Sequence, residues 1–403
     1  MQVGRRSVVL AGVGATLGAG VALALWWPPG RGPAVPRARV AEASILGLPN
    51  ERFLPELPGG TDALRREFIQ AIDRQRRALG LIDGAPPPAR NMLAISGGGE
   101  DGAFSAGLLC GWTDHGTRPD FHLVTGVSTG ALIAPFAFAG TSQDARLREL
   151  YATIRQGDVM VSRSYIRAMF DDGLADDAPL LATIARYIDS RMLADIARGH
   201  AEGRLLLIAT VNLDAQLAVL WNIGAIAASG HPGALDLVGR VMLASAAIPG
   251  LFPPTMLDAT LDGRAYQEMH VDGDAFAQSF LYPSSFGEQR RERLRTGQPV
   301  TTATAYVIRN AQHDTNGMET ERRTLAIALR AIAALTRASG HNDIERIYAY
   351  AERDGIDFNL AFIGPDFTYR SDEPFDPRYM RQLFDYGYRQ ARQGYPRAKR
   401  PPF

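Results

Sequence analysis

The chain has one cysteine, Cys110, in 403 residues. An intrachain disulfide and a cysteine metal cluster are therefore excluded. Cys110 stands among Leu108, Leu109 and Trp112 and reads as a small core residue. Lysine is nearly absent as well: Lys399 is the single one. Schiff-base chemistry, a Ser–Lys dyad and a P-loop all need a lysine in the core, so all three drop out. Neither sign of charge is in excess, with 43 basic residues against 43 acidic ones. That removes the electrostatic footprint of a nucleic-acid partner. The acidic group Asp171, Asp172, Asp176 and Asp177 lacks the alternating ligands and the glycine of a calcium loop. It reads as a solvated loop or part of a substrate lid, and no metal or organic cofactor is expected. The rest, 46% hydrophobic and 21% charged, is globular composition.

One long uncharged run is present, residues 7–27, preceded by Arg5-Arg6 and closed by Pro28-Pro29-Gly30. A bilayer span takes about 20 residues, Arg5-Arg6 resembles a twin-arginine signal, and Trp26-Trp27 suits an interfacial anchor. No cysteine lies near it for lipidation. The expectation is a signal or membrane anchor at residues 1–30, with the body exported to the periplasmic or extracytoplasmic side. Residues 31–90 read as a tether and an amphipathic helix: a Pro/Arg/Ala-rich stretch to residue 45, a helix over 61–79 with Thr61 as N-cap and Gly80 as stop, then Pro86-Pro87-Pro88.

Beyond residue 90, strand-like runs at 92–95, 121–124, 204–213, 216–223, 265–269, 302–308 and 357–363 alternate with helical patterns at 101–112, 131–139, 232–247, 319–336 and 377–393. Residues 143–200 are largely helical, with a loop near 162–179. This alternation predicts an α/β sandwich with a mainly parallel sheet. The tail 397–400 reads as disordered.

The densest signal is at 91–107. An apolar strand runs into Gly97, Gly98 and Gly99, and a helical pattern opens near Asp101. Such a unit cradles an anion: N–H groups face outward, the helix N-terminus is partly positive, and glycine allows close approach. Two anions fit. Gly97-x-Gly99-x-x-Gly102 with Asp120 satisfies a dinucleotide fingerprint, hence a nucleotide-binding oxidoreductase. Alternatively, Gly126-Val127-Ser128-Thr129-Gly130 is a G-x-S-x-G elbow between a strand and a helix. The glycines then form an oxyanion hole for a tetrahedral intermediate. The nucleotide reading leaves Ser128 without a role, and the elbow reading is preferred.

Downstream, His270-Val271-Asp272-Gly273-Asp274 ends a strand, where an aspartate suits a direct base. The block Ala244-Ser-Ala-Ala-Ile-Pro-Gly-Leu-Phe-Pro-Pro254 breaks regular structure, and its Leu251 and Phe252 are candidates for an acyl pocket. Taken in order, the glycine turn, the elbow, this block and Asp272-Gly273 resemble the patatin-like phospholipases over roughly residues 90 to 310. The resemblance implies a patatin-like α/β/α sandwich with a mainly parallel central sheet and a serine nucleophile elbow. It implies a Ser/Asp dyad without a catalytic histidine, with Ser128 as nucleophile and Asp272 as base. Gly97, Gly98, Gly99 and Thr129 would form the oxyanion hole, Gly126 and Gly130 the elbow, and Gly273 the support of the acid block. The reaction implied is acyl-ester cleavage of phospholipase A or esterase type. The partners implied are a lipid or lipophilic ester and a membrane surface.

The catalytic domain would be 91–403, with a motif-bearing core at 91–310 and a C-terminal part at 311–403. Two positions depart from the family pattern: Asp101 replaces a usual Arg or Lys, and Asp274 replaces a usual Gly or Ala. A carboxylate near the cradle would repel an anionic headgroup. The alternatives are a non-phospholipid esterase, an exported binding module of the same fold, and a triad using His313 or His341. His270 shares the face of Asp272 and stands either to tune it or to pack.

Overall fold

The computed structural model describes residues 30–402, apart from 82–87, 164–171, 313–319, 372 and 397. The expected anchor, save Gly30, lies outside the described residues, and so does His313. Among the described residues, no helix is long and apolar enough to cross a membrane.

The strands of the main sheet are β1 (Arg52–Phe53), β2 (Arg90–Ile95), β3 (Leu123–Gly126), β4 (Leu205–Asn212), β5 (Leu217–Asn222), β6 (Thr255–Leu261), β7 (Arg264–Asp272), β8 (Ala303–Gln312) and β9 (Asp357–Ile363). The principal helices are α1 (Gly60–Ala78), α2 (Gly102–His115), α3 (Thr129–Ala139), α4 (Asp144–Thr153), α5 (Ala178–Tyr187), α6 (Ser190–Ala201), α7 (Ala234–Ser245), α8 (Thr324–Arg353) and α9 (Pro377–Ala391). One nine-stranded sheet has the path β1-β5-β4-β3-β2-β8-β9, with β7 pairing β4 and β6 pairing β7 off that path. Every pair from β4 through to β9 is parallel. Strand side chains alternate between faces, and two cores result. Leu93, Ile95, Val124 and Ile208 pack with α2, α3, α7 and α9. Met92, Ala94, Leu205 and Leu207 face the other way, against α1 and α8. Covered on both sides, the central strands can be continuously apolar.

One detail of pairing positions the chemistry. Strand β5 occupies one edge of β4 along 207–212. Strands β3 and β7 share the other: β3 pairs with 205–208 and β7, antiparallel, with 210–212. Asp272 lies opposite Thr210 and Gly126 opposite Ile208. The last residues of β3 and β7 therefore meet head-on, about 7 Å apart at the usual rise per residue.

Several expectations are corrected. Residues 31–45 are not a tether. Ala34 and Ser44 bridge to Gln267 and Thr260 of the β6–β7 hairpin, Val40 is fully buried, and Arg31 pairs with Asp214 at 2.7 Å. Strand β1 and helix α1 likewise join the sandwich rather than precede it. Thr61 is inside the first turn of α1, bonded to Pro55 O, and Gly59 is the cap. Strand β6 goes beyond the sequence reading. Its signal was Asp262-Gly263, both at positive φ, which is a two-residue hairpin turn. Helix α8 extends to Arg353, through Gly340, whose missing side chain leaves room for Gln278: a Cβ there would fall 1.9 Å from Gln278 Oε1. The tail is held against β9, where Ala398 pairs with Leu360 and Lys399 bonds Asp357.

Candidate active site

Strand β3 ends at Gly126, and Ser128 follows at φ 54° and ψ −126°. A non-glycine residue at positive φ is strained and persists only where its surroundings hold it. Here the chain turns from strand to helix within three residues, and its glycines are needed for lack of space. A Cβ at Gly126 would fall 2.6 Å from Gly130 O, and one at Gly130 would fall 2.3 Å from Ile95 O. Gly273 is equally confined, 2.6 Å from Ala209 O by the same test.

Ser128 Oγ donates to Asp272 Oδ2 at 2.7 Å, and both residues are buried. The Asp272 N–H donates to Ala247 O, and its Oδ1 accepts from the Asp274 N–H at 2.9 Å. Burial raises the Asp272 carboxyl to about 7, against the lowering effect of those two donors. No histidine bonds either residue of the pair among the described residues.

The glycine turn follows β2. Gly98 and Gly99 have φ of 150° and 58°, and a Cβ at Gly98 would fall 1.7 Å from Asn310 O. The N–H groups of Gly98, Gly99 and Thr129 have no acceptor among the described residues. Gly97 differs from this set. Its N–H donates to Gln278 O at 3.2 Å, so it shapes the turn and leaves the expected donor set.

Supporting residues were missed by sequence reasoning. Ser245 Oγ accepts the Ser128 N–H at 3.1 Å and donates to Ala209 O, bolting the elbow to β4. Beneath the glycine turn, Asn310 donates to Ser96 Oγ and Ser96 O and accepts from Ser105 Oγ. An asparagine inside the buried run of β8 was the available signal. Tyr151 Oη meets Thr129 Oγ1 at 3.3 Å.

Other expected residues have other work. Asp101 Oδ1 accepts from Tyr379 Oη, and Glu100 accepts from the Phe375 N–H. Burial raises Asp101 to about 7. This acid is engaged by α9, which corrects the expectation of a free carboxylate facing a headgroup. His270 is fully buried, between Thr210 Oγ1 at 2.9 Å and Glu268 Oε2 at 3.1 Å. Phe252 is buried in the larger core and Leu251 packs against it, so this block is core. An apolar crevice of about 40 Å³ lies instead beside α3, lined by Leu132, Phe136, Tyr151, Ile184 and Met242 among others. A wider open groove of about 950 Å³, along α9, includes neither Ser128 nor Asp272.

Residues 93–277 match the patatin-like phospholipase family. That span holds the elbow, the glycine turn and Asp272, and it carries the patatin fold. The family is one of lipid acyl hydrolases. No curated protein sequence matches the chain. Among solved structures, VipD from Legionella pneumophila is similar at a TM-score of 0.31 and 13% identity, over 76% of this chain and 66% of that one. The chain thus spans just under two thirds of VipD.

Proposed function

We propose, from the premise that residues 93–277 are a patatin-like phospholipase domain, that this chain is a serine acyl hydrolase of lipid esters working through Ser128 and Asp272. Asp272 takes the Ser128 proton as Oγ attacks the ester carbonyl. The N–H groups of Gly98, Gly99 and Thr129 receive the oxyanion, where preorganised donors are worth most. Asp272 returns the proton to the leaving alcohol, and an acyl-enzyme remains. Water then attacks, with Asp272 again as base, and free acid and Ser128 are released. The observation that carries this reading is the 2.7 Å hydrogen bond from Ser128 Oγ to a buried carboxylate that has no cation beside it among the described residues. A carboxyl raised to about 7 is matched to base work at neutral pH.

The membrane surface belongs to the same proposal. The first half of α8 exposes Ile327 and Leu335, at 53% and 71%. It carries Arg330 and Arg337 with no acidic residue from 324 to 342. An apolar, basic helix suits an anionic bilayer surface. Leu329 lies against Gly250, in the block that follows α7 on the way to β7. An anchor at residues 1–30 would hold this surface on the exported side of the same membrane.

The test is labelling with a fluorophosphonate, read by intact mass and peptide mapping. Labelling at Ser128 that Ser128→Ala and Asp272→Asn both abolish is the expected outcome. No labelling of a folded protein, with or without liposomes, shifts the assignment to a binding module. For the membrane contact, Ile327→Glu with Leu335→Glu is expected to lower hydrolysis on anionic vesicles about tenfold or more. Hydrolysis of a soluble ester should be unchanged, and equal loss on both would refute the surface.

A further inference from the structure

Asp274 is the residue that the dyad leaves unused. Its N–H donates to Asp272 Oδ1 at 2.9 Å, while its side chain turns to the glycine turn. A Cβ placed on Gly97 would fall 2.2 Å from Asp274 Oδ1 and 2.3 Å from Oδ2. The carboxyl therefore sits directly on that glycine, and any other residue at 97 would evict it. Oδ1 is buried with no hydrogen-bond partner among the described residues. Oδ2 has Gln278 Nε2 at 3.5 Å, the weak limit of a hydrogen bond.

Asp274 feels the charge of two other carboxyls, Asp272 and, from α8, Asp343. The three are unequally supplied. Asp343 accepts from the N–H groups of Gln278 and Ser279 and pairs with Arg346 at 2.7 Å. Asp272 accepts from Ser128 and from the Asp274 N–H. Among the described residues Asp274 has no cation and no strong donor. Adjacent buried carboxyls do not both ionise, and the proton goes to the one with the poorest set of donors.

We propose that Asp274 is a second carboxyl of the active centre, a positioning residue that carries the proton, holds Asp272 as the sole carboxylate and keeps the oxyanion site clear of a second negative charge. It rests on the Ser128–Asp272 reading. Burial and the neighbouring Asp272 and Asp343 raise Asp274 well above the usual carboxylate range, in the same direction. The consequence is a two-limbed profile. Activity rises as Asp272 ionises. It falls again when Asp274 ionises, because that charge lies against the glycine turn and repels the oxyanion.

The experiment is kcat/KM against pH on a soluble ester for the whole protein, as wild type, Asp274→Asn and Asp274→Ser. Ser128 labelling and a melting curve are taken at each pH. Asn and Ser are neutral and fit beside Gly97; Ser serves if Asn impairs folding. The expected result is a bell for wild type, and variants within about fivefold at neutral pH that keep the acid limb and lose the alkaline one. A wild type without an alkaline fall, variants with an unchanged bell, or folded variants that lose about a hundredfold at every pH would each overturn the proposal. If wild-type Ser128 labels and the profiles coincide, this inference alone fails. If it labels at no pH, the dyad fails too.

Discussion

Strand β7 carries two fully buried carboxyl groups, Glu268 and Asp272, in opposite circumstances. Glu268 receives both guanidinium nitrogens of Arg52, at 2.5 and 3.1 Å, and His270 Nε2 at 3.1 Å. Thr210 Oγ1 accepts the Trp221 Nε1–H at 2.8 Å and meets His270 Nδ1 at 2.9 Å. With Thr210 donating, the network assigns His270 the neutral Nε2–H tautomer. Burial pushes Glu268 upward, but the His270 hydrogen bond and Arg52 overcome it and hold the group at about 2. Among the described residues Asp272 has two neutral donors and no cation, and burial holds it at about 7. A carboxylate with every lone pair and its charge compensated ties elements together, here β1 to β7. One left short of compensation keeps its affinity for a proton and can use it.

Breaking the second cluster should cost reaction and spare stability. Ser128→Ala and Asp272→Asn are each expected to lower kcat/KM on an ester by about 10⁴-fold, with cooperative melting retained. A loss below tenfold would detach the pair from the chemistry. Breaking the first cluster should do the reverse. Glu268→Gln leaves Arg52 charged and buried, which costs about 3–5 kcal/mol in a denaturant titration. The folded fraction should still label at Ser128, and loss of labelling in the folded fraction would merge the two clusters.

The two clusters should also answer pH with opposite signs. Asp272 has a folded pKa raised above its ordinary 3.8. Its contribution to stability is full below that value and is lost as pH rises through about 7. Asp272→Asn should therefore melt above wild type at pH 8, with the gap closing towards pH 4. Glu268 has a folded pKa depressed from 4.5 to about 2. Its contribution is full above 4.5 and is lost as pH falls towards 2, so the Glu268→Gln deficit should shrink in acid. Parallel rather than opposed trends would refute the comparison. The smallest effect is expected at His341. It lies on α8, and His341→Ala should keep kcat/KM within about threefold, whereas a 10³-fold loss in folded protein would restore a histidine triad.

Much of the site was legible because it rests on residues with few substitutes. Gly126, Gly130 and Gly98 mark backbone approaches that no side chain survives, and they show as punctuation between apolar runs. The parallel core was legible for a related reason, since β2, β3, β4, β8 and β9 are buried on both faces. Other features leave no such trace. Ser245 and Asn310 are ordinary polar residues until their partners, Ser128 and Ser96, are in place. The segment at 31–45 docks through scattered contacts, two buried valines, Val35 and Val40, and two arginine pairs, and its composition resembles a linker. Gly97 looked like its two neighbours, and only the position of Gln278 O removes it from the donor set.

The sequence by itself determined the class of chemistry. A core without lysine and a lone cysteine closed several mechanisms, and a glycine turn, a serine elbow and a downstream Asp-Gly left one consistent combination. Tertiary structure decided which groups stand together. Strand β7 shares an edge of β4 with β3, and that pairing brings Asp272 to Ser128 across 144 residues of chain. Whether a buried carboxyl there becomes a base, a salt bridge or a proton carrier depends on the donors that distant segments bring to it. That supply is a property of three-dimensional neighbours and their burial, and no local stretch of residues encodes it.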